Sequence, residues 1–183
     1  MTTDPQPASV YDLAHEEEPE SLATFAVLVD NEPGVLHRLV GLFAARGYNI
    51  ESLTVAETDR RAHTSRVTIV TRGTPHVLAQ IEAQLEKMVS TRHVQDVTRD
   101  PNGLERELAL VKVRGVGAER VEALRIGDIF RARVIDTTHE SFVFEITGAP
   151  TKIDSFVELM RPLGLVEVSR TGVLSIQRGV EAL

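Results

Sequence analysis

The sequence predicts an α+β protein made of two tandem ferredoxin-like (βαββαβ) domains. Short apolar, β-branched runs alternate with segments of helical periodicity. The order strand, helix, strand, strand, helix, strand occurs twice, without close sequence repetition. A polar segment rich in turn formers, residues 99–103 (RDPNG), separates the two copies. In each copy we expect two helices to cover one face of a four-stranded antiparallel sheet.

The first domain is predicted to span residues 23–98. Its first strand, residues 23–29, is apolar and bounded by polar residues. After a break at residues 30–34, apolar residues recur at helical spacing up to Gly47, a usual helix stop: Val35, Leu36, Leu39, Val40, Leu42 and Phe43. The later elements are a strand beginning near Ile50, a strand at 66–71, a helix starting at Thr74-Pro75 and a closing strand at 89–97.

The second domain is predicted to span residues 107–183, after a linker at residues 99–106. Its strands are expected at residues 107–114, 133–136, 141–147, 165–169 and 173–177. The first of its two helices is expected at residues 118–130, with four residues facing inward: Val121, Leu124, Ile129 and Phe130. The second helix carries the stripe Ile153, Phe156, Val157 and Met160.

Composition narrows the class of protein. The chain has 183 residues, 42% of them hydrophobic, and no cysteine, so a core can form but disulfides and thiolate metal sites cannot. No apolar run has membrane-spanning length, and we expect a cytoplasmic protein without membrane contact. Residues 1–22 hold six of the 27 acidic residues and no Lys or Arg, which predicts a mobile acidic tail. No basic patch suggests nucleic-acid binding.

The turn at residues 30–34 (DNEPG) is the strongest candidate for ligand chemistry. Gly34, at the junction of strand and helix, permits unusual backbone angles and a close approach to the main chain. The first N–H groups of the helix have no intrahelical partner and form a positive pole that suits a carboxylate. The Asn31 amide can both donate and accept. The alternative is a turn that contains Asn, Pro and Gly for backbone reasons alone.

Asn49 lies just past the other end of the same helix. At a rise of ~1.5 Å per residue, ~20 Å of helix separates it from Gly34, so the two ends of one chain cannot share a small ligand. Two chains related by a two-fold axis can place one chain's helix start beside the other's helix end. The spacing therefore permits a site between subunits.

Catalytic and metal-binding motifs are missing from the sequence. The six histidines are scattered and form no H-x-H or H-E-x-x-H pair. No G-x-S-x-G, Walker or Rossmann pattern occurs. We therefore predict no catalytic residue and no metal site in this chain.

The run DNEPGVLHRLVGLFAARGYNIESLTVAETD resembles the first ACT domain of the small, regulatory subunit of acetolactate synthase (acetohydroxyacid synthase). The stretches SRVTIVTRG, ERELALVKV, IFRARVIDTT and VEVSRTGVLSIQRG resemble the same family, and the match covers about residues 23–179. The resemblance implies that the first domain is an ACT domain. It also implies an effector site at Asn31, Gly34 and Asn49, flanked by three residues that supply backbone amides and apolar walls: Val35, Leu36 and Ile50.

The family resemblance implies a non-catalytic regulatory subunit. Such a subunit binds and activates the catalytic subunit and mediates feedback inhibition by valine in branched-chain amino acid synthesis. It implies a homodimer through the ACT domain, and thiamine diphosphate, FAD and Mg²⁺ on the large catalytic partner, with no cofactor here. The alternative is a free-standing ACT amino-acid sensor or a regulator of another enzyme. Valine, leucine and isoleucine are not ranked, because one methylene in an apolar pocket is worth only ~1–3 kcal/mol.

The second domain lacks the site chemistry of the first. Its corresponding turn, residues 114–118 (RGVGA), has glycines but no amide side chain. We expect this domain to serve dimer packing or contact with the catalytic subunit.

Overall fold

The computed structural model describes residues 18–59 and 61–180, which form two α+β units in tandem. The elements of the first unit are β1 (Ser21–Asp30), α1 (Val35–Arg46), β2 (Ser52–Asp59), β3 (Thr64–Gly73), α2 (Pro75–Glu86) and β4 (Thr91–Asp96). Its four strands form one antiparallel sheet in the order β2-β3-β1-β4. This is the predicted ferredoxin-like order, with β2 and β4 at the two edges.

The second unit repeats the order of elements and adds one strand. Its elements are β5 (Gly103–Arg114), α3 (Gly117–Phe130), β6 (Arg133–Thr137), β7 (Ser141–Gly148), α4 (Pro150–Met160), β8 (Leu165–Arg170) and β9 (Leu174–Gln177). Four strands form a sheet in the order β6-β7-β5-β8, and β9 pairs separately with the first four residues of β5. The predicted tandem α+β fold is confirmed, and β9 is the additional strand.

The helices of each unit cover one sheet face and enclose a separate apolar core. In the first core, Phe25 on β1 packs with Leu39 and Phe43 on α1 and with Ile81 on α2. The second core is aromatic: the Phe144 ring lies 5.6 Å from the Phe142 ring and 5.8 Å from the Phe156 ring, between centroids. The predicted inward stripe of α4 is buried in this core. Two cores of this kind make each sheet a rigid support for the loops at its edges.

The predicted inward face of α3 is wrong. Val121 and Ile129 are 67% and 62% exposed, and Leu124 is also exposed, whereas Ala123, Ile126 and Gly127 are the buried residues. The helix approaches the aromatic core so closely that a Cβ on Gly127 would lie 2.7 Å from Cε1 of Phe144. Because no side chain fits at Gly127, the buried face of α3 runs through Ala123, Ile126 and Gly127 instead of the predicted stripe. Phe130 alone of the predicted four packs against the core.

Two strands begin earlier than the sequence indicates. β1 starts at Ser21, inside the predicted tail 1–22, because Ser21 and Leu22 pair with the end of β3. β5 starts at Gly103, inside the predicted linker 99–106, because β9 pairs with its first residues. The pairing partners lie far along the chain, so local composition does not reveal them. Residues 1–17 of the predicted mobile tail lie outside the described residues.

The second unit also contacts the first sheet on the face that the helices leave open. Thr24, Ala26 and Thr68 alternate with core residues along their strands and are nevertheless buried. β9 contacts β1, and the turn before β9 is hydrogen-bonded to β2. The two units therefore share an interface rather than a linker alone.

Candidate functional site

The turn between β1 and α1 has the geometry that its glycine predicts. Gly34 has φ = 86°, in the left-handed region where glycine carries no Cβ penalty. The Asn31 N–H donates to the His63 carbonyl (2.7 Å), which ties the turn to the β2–β3 hairpin. That hairpin is itself braced, because N–H groups of Ala62 and Arg61 hydrogen-bond to the Asp59 carboxylate and lower its pKa. The turn is therefore held from two sides.

The first turn of α1 presents free backbone donors. No side chain caps the helix. The N–H groups of Leu36 and His37 find no acceptor in the part of the chain that the structure describes. Next to them, the Arg38 guanidinium is ion-paired with Glu32. Uncapped N–H groups at a helix start attract anions, and a carboxylate of a small ligand fits this position.

The two predicted asparagines lie at opposite ends of α1. The Asn31 amide donates to Oε1 of Glu57 on β2 (3.3 Å). The Asn49 amide donates to Oε1 of Glu51 (3.1 Å). Both side chains are exposed. Because α1 has 12 residues, its ends are separated by ~18 Å at ~1.5 Å per residue. One chain therefore does not bring Asn31 and Asn49 to a common ligand.

The remaining predicted residues differ in what they offer. Leu36 is 40% exposed beside the free N–H groups and is available as an apolar wall. Val35 is 8% exposed and its side chain belongs to the first core. Its N–H donates to the Glu32 carbonyl (3.3 Å), so it does not offer the free backbone amide that was predicted. Ile50 is half-buried and packs against the same core. Of the three flanking residues, Leu36 is the one whose side chain points outward.

Two acidic residues next to the asparagines had no role in the sequence prediction. Glu57 and Glu51 accept from the amides of Asn31 and Asn49, respectively, and so orient them. Both lie within the NIESLTVAETD run, but a glutamate at a strand edge looks like any solvated residue. They add negative charge beside both amides, and a carboxylate can accept hydrogen bonds from a cationic group.

The edge of the first sheet is exposed on the same part of the molecule. Among the strands that the structure describes, β2 pairs only with β3, and Val55 on β2 is 46% exposed. On α1, Leu36 and Val40 are exposed as well. An unpaired edge flanked by exposed apolar side chains is suited to pairing with a second chain.

The corresponding turn of the second unit has different chemistry. Gly117 has φ = 59°, and Val116 occupies the N-cap of α3 without a capping side chain. The Gly115 N–H donates to the Glu140 carbonyl (3.0 Å). The sequence of this turn, RGVGA, has no amide side chain beside its glycines.

The described residues show neither a grouped set of metal ligands nor a membrane-spanning helix. Among residues 18–59 and 61–180, no three His, Asp or Glu side chains are grouped in the manner of a metal site. Within the same ranges, no helix is long and apolar enough to cross a membrane.

Comparison with known proteins identifies both units. Residues 25–93 match the family described as "AHAS small subunit-like ACT domain", and residues 106–179 match "Small subunit of acetolactate synthase". A probable acetolactate synthase small subunit from Archaeoglobus fulgidus is 45% identical over 156 residues, which cover 85% of this chain and 96% of that protein. The acetolactate synthase small subunit of Haemophilus influenzae is 43% identical over 155 residues, covering 84% and 94%.

A solved structure extends the likeness to three dimensions. The acetolactate synthase small subunit from Thermotoga maritima is 36% identical, with a TM-score of 0.76, over 88% of this chain and 99% of that chain. The fold and the site thus define a tandem α+β regulatory protein with an N-terminal ACT domain. The chain belongs to the family of acetolactate synthase small subunits.

Proposed function

We propose that this chain is the regulatory subunit of an acetolactate synthase. It binds the large catalytic subunit, raises its activity and confers feedback inhibition by valine in branched-chain amino acid synthesis. Family membership supports the role, and one structural observation supports the ligand. The start of α1 combines free N–H groups, the left-handed Gly34 and the Asn31 amide, which together suit an α-amino acid.

The ligand is bound between two copies of the chain. Its carboxylate accepts from the N–H groups of Leu36 and His37, and its apolar side chain lies against Leu36. Its ammonium group is held by Asn31 of the same chain and by Asn49 of the second chain. This arrangement follows from the ~18 Å between the two ends of the 12-residue α1 and from the exposed edge at β2.

The chain acts on catalysis only through its partner. In this proposal thiamine diphosphate, FAD and Mg²⁺ belong to the catalytic subunit, and this chain holds none of them. Binding of valine changes the way in which the homodimer engages the catalytic subunit, so inhibition reaches an active centre that this chain does not contain.

Reconstitution with the catalytic subunit tests the proposal. The rate of acetolactate formation from pyruvate is measured with the catalytic subunit alone, after adding this chain, and during titration with valine, leucine and isoleucine. We expect activation by the chain and inhibition by valine, with saturable valine binding to the isolated chain by calorimetry. Valine binding without activation would support the alternative, a free-standing sensor or a regulator of another enzyme. If the chain neither binds valine nor activates the catalytic subunit, both the proposed function and its alternative are refuted.

A further inference from the structure

A single residue of the second unit, Val173, is bound on both of its backbone groups by one strand of the first unit. Its N–H donates to Oγ of Ser52 (3.2 Å), and its carbonyl accepts from Oγ1 of Thr54 (2.9 Å). Both hydroxyls lie on β2, on the sheet face opposite the helices. Val173 is buried in this contact. The turn between β8 and β9 is thus fixed to β2 by the side chains of Ser52 and Thr54.

Gly172 makes this contact possible. Its φ of 82° lies in the left-handed region, and a Cβ at this position would lie 2.5 Å from Oγ of Ser52 and 3.0 Å from Cγ2 of Thr54. Any side chain here would both strain the turn and push it away from β2. The close fit depends on glycine.

On one side, the contact leads directly to the proposed effector site. Only two residues separate Asn49 from Ser52. The intervening backbone is fixed to β3, because the Thr71 hydroxyl donates to the Asn49 carbonyl (2.6 Å) and the Glu51 N–H donates to the Val70 carbonyl (2.8 Å). A displacement of Asn49 is therefore carried into the start of β2.

On the other side, the turn is fixed to the second sheet. The Thr171 N–H donates to the Leu108 carbonyl (3.0 Å), and the Leu108 N–H donates to Oγ1 of Thr171 (3.2 Å). The preceding Arg170 donates from Nε to the buried Glu107 (2.8 Å) and from Nη1 to Asp154 (2.7 Å). The turn must therefore move together with β5 and the rest of that sheet.

A cleft of about 490 Å³ borders the contact and separates other parts of the two units. Leu22 and Arg72 line it from the first unit, and Pro150 and Asp154 line it from the second. Because the units do not pack across this cleft, a change in the angle between the sheets about the β8–β9 turn would leave both apolar cores intact and alter only the contact of β9 with β1.

We propose that the Thr171–Val173 turn, held by Ser52 and Thr54, is the joint that transmits valine occupancy at the Asn49 end of the site to the second unit. Ser52 and Thr54 are positioning residues, not ligand-binding residues. The proposal rests on the proposed function. It adds a physical route between the effector site and the second unit, with two discrete parts whose relative position valine biases.

Two variants test the proposed joint in the full chain reconstituted with the catalytic subunit, one altering the turn and the other altering β2. Gly172→Ala adds the clashing Cβ, and the double variant Ser52→Ala/Thr54→Val removes both hydroxyls. Gly179→Ala is the matched control, because Gly179 also has a positive φ (97°) but no atom lies within 4 Å of its added Cβ. Valine affinity is measured by calorimetry, and activation and inhibition by acetolactate formation.

Both joint variants should bind valine within about threefold of the wild-type affinity and yet lose most of the inhibition. The valine concentration for half-inhibition should rise about tenfold, within the usual range of coupling between sites. Gly179→Ala should behave as wild type. Wild-type inhibition in either joint variant overturns the inference, and so does loss of valine binding in Ser52→Ala/Thr54→Val, because the hydroxyls then support the site itself. A wild-type chain that ignores valine refutes the proposed function instead, and with it the joint.

Discussion

Replacing Gly34 with aspartate should greatly weaken the response to valine while leaving the fold intact. The position lies at the N-cap of α1, directly before the N–H groups that would bind the ligand carboxylate. An aspartate there adds a negative charge facing the carboxylate of the effector. Because Gly34 lies on the surface, an added side chain does not have to fit into a packed core.

The structural cost of the change is small. A Cβ on Gly34 would meet only Nη1 of Arg38, at 3.6 Å, which is an ordinary contact. The φ of 86° penalises a side chain by about 1–2 kcal/mol, and Asp and Asn tolerate this region best. We therefore expect the free energy of unfolding to fall by about 1 kcal/mol and the protein to remain folded at room temperature.

The cost to binding is larger. Two unit charges about 4 Å apart repel by about 1 kcal/mol at the dielectric constant of water and about 4 kcal/mol at an effective value of 20. A half-open site lies between these limits, at about 2–3 kcal/mol, which corresponds to roughly 30- to 150-fold weaker binding. Gly34→Asn has the same backbone strain and nearly the same size without the charge, so it separates the two effects.

Calorimetric titration with valine, together with inhibition of the reconstituted enzyme, measures the outcome. Gly34→Asp should activate the catalytic subunit but resist valine, and Gly34→Asn should retain more affinity than Gly34→Asp. Equal losses in the two variants would attribute the effect to backbone strain. Undiminished valine sensitivity in Gly34→Asp would refute the placement of the carboxylate at the start of α1.

Two further predictions concern stability. Gly127→Ala should lower the thermal midpoint, because overpacking against Phe144 costs about 1–3 kcal/mol and outweighs the helix gain of about 1 kcal/mol. The Cβ added by Gly41→Ala meets nothing within 4 Å, so this variant should have a higher thermal midpoint because of the same helix gain. Calorimetric midpoints that shift in the same direction in both variants would contradict the reasoning. Burial, and to a lesser extent the nearby Asp96 charge, raise the pKa of the Glu82 carboxyl. The folded protein therefore becomes less stable as the pH rises through this pKa and Glu82 loses its proton. Glu82→Gln should therefore raise the midpoint at pH 7 but not below the ordinary pKa of 4.5, and an equal gain at both pH values would contradict the titration.

Local signals predicted the part of the fold that local chemistry determines. α1 ends at Arg46, with the left-handed Gly47 as its C-cap, and α2 begins at Pro75 with the Thr74 side chain as its N-cap. The wrong face of α3 has a physical reason as well. Helical periodicity identifies a stripe of apolar residues, but it does not reveal that the close approach to Phe144 places Gly127, which has no side chain, on the buried face.

The candidate site also has features that the sequence predicts and features that it does not. The conformation of Gly34 and the exposed Asn31 were predictable, because a turn of a few residues determines them. The partners that orient the amides were not, since Glu57 lies 26 residues from Asn31 along the chain and reaches it only through the folding of the sheet. The contact between Thr54 and Val173 spans 119 residues, and no local pattern indicates it.

Subunit mixing tests most directly whether one valine site is built from Asn31 of one chain and Asn49 of another. Asn31→Ala and Asn49→Ala are prepared separately, shown not to bind valine, and mixed under conditions of subunit exchange. A mixed dimer holds one site with both defects and one with neither, so calorimetry should recover up to one valine site per mixed dimer. If mass spectrometry confirms mixed dimers and no valine binding returns, both asparagines act within one chain and the site does not lie between subunits.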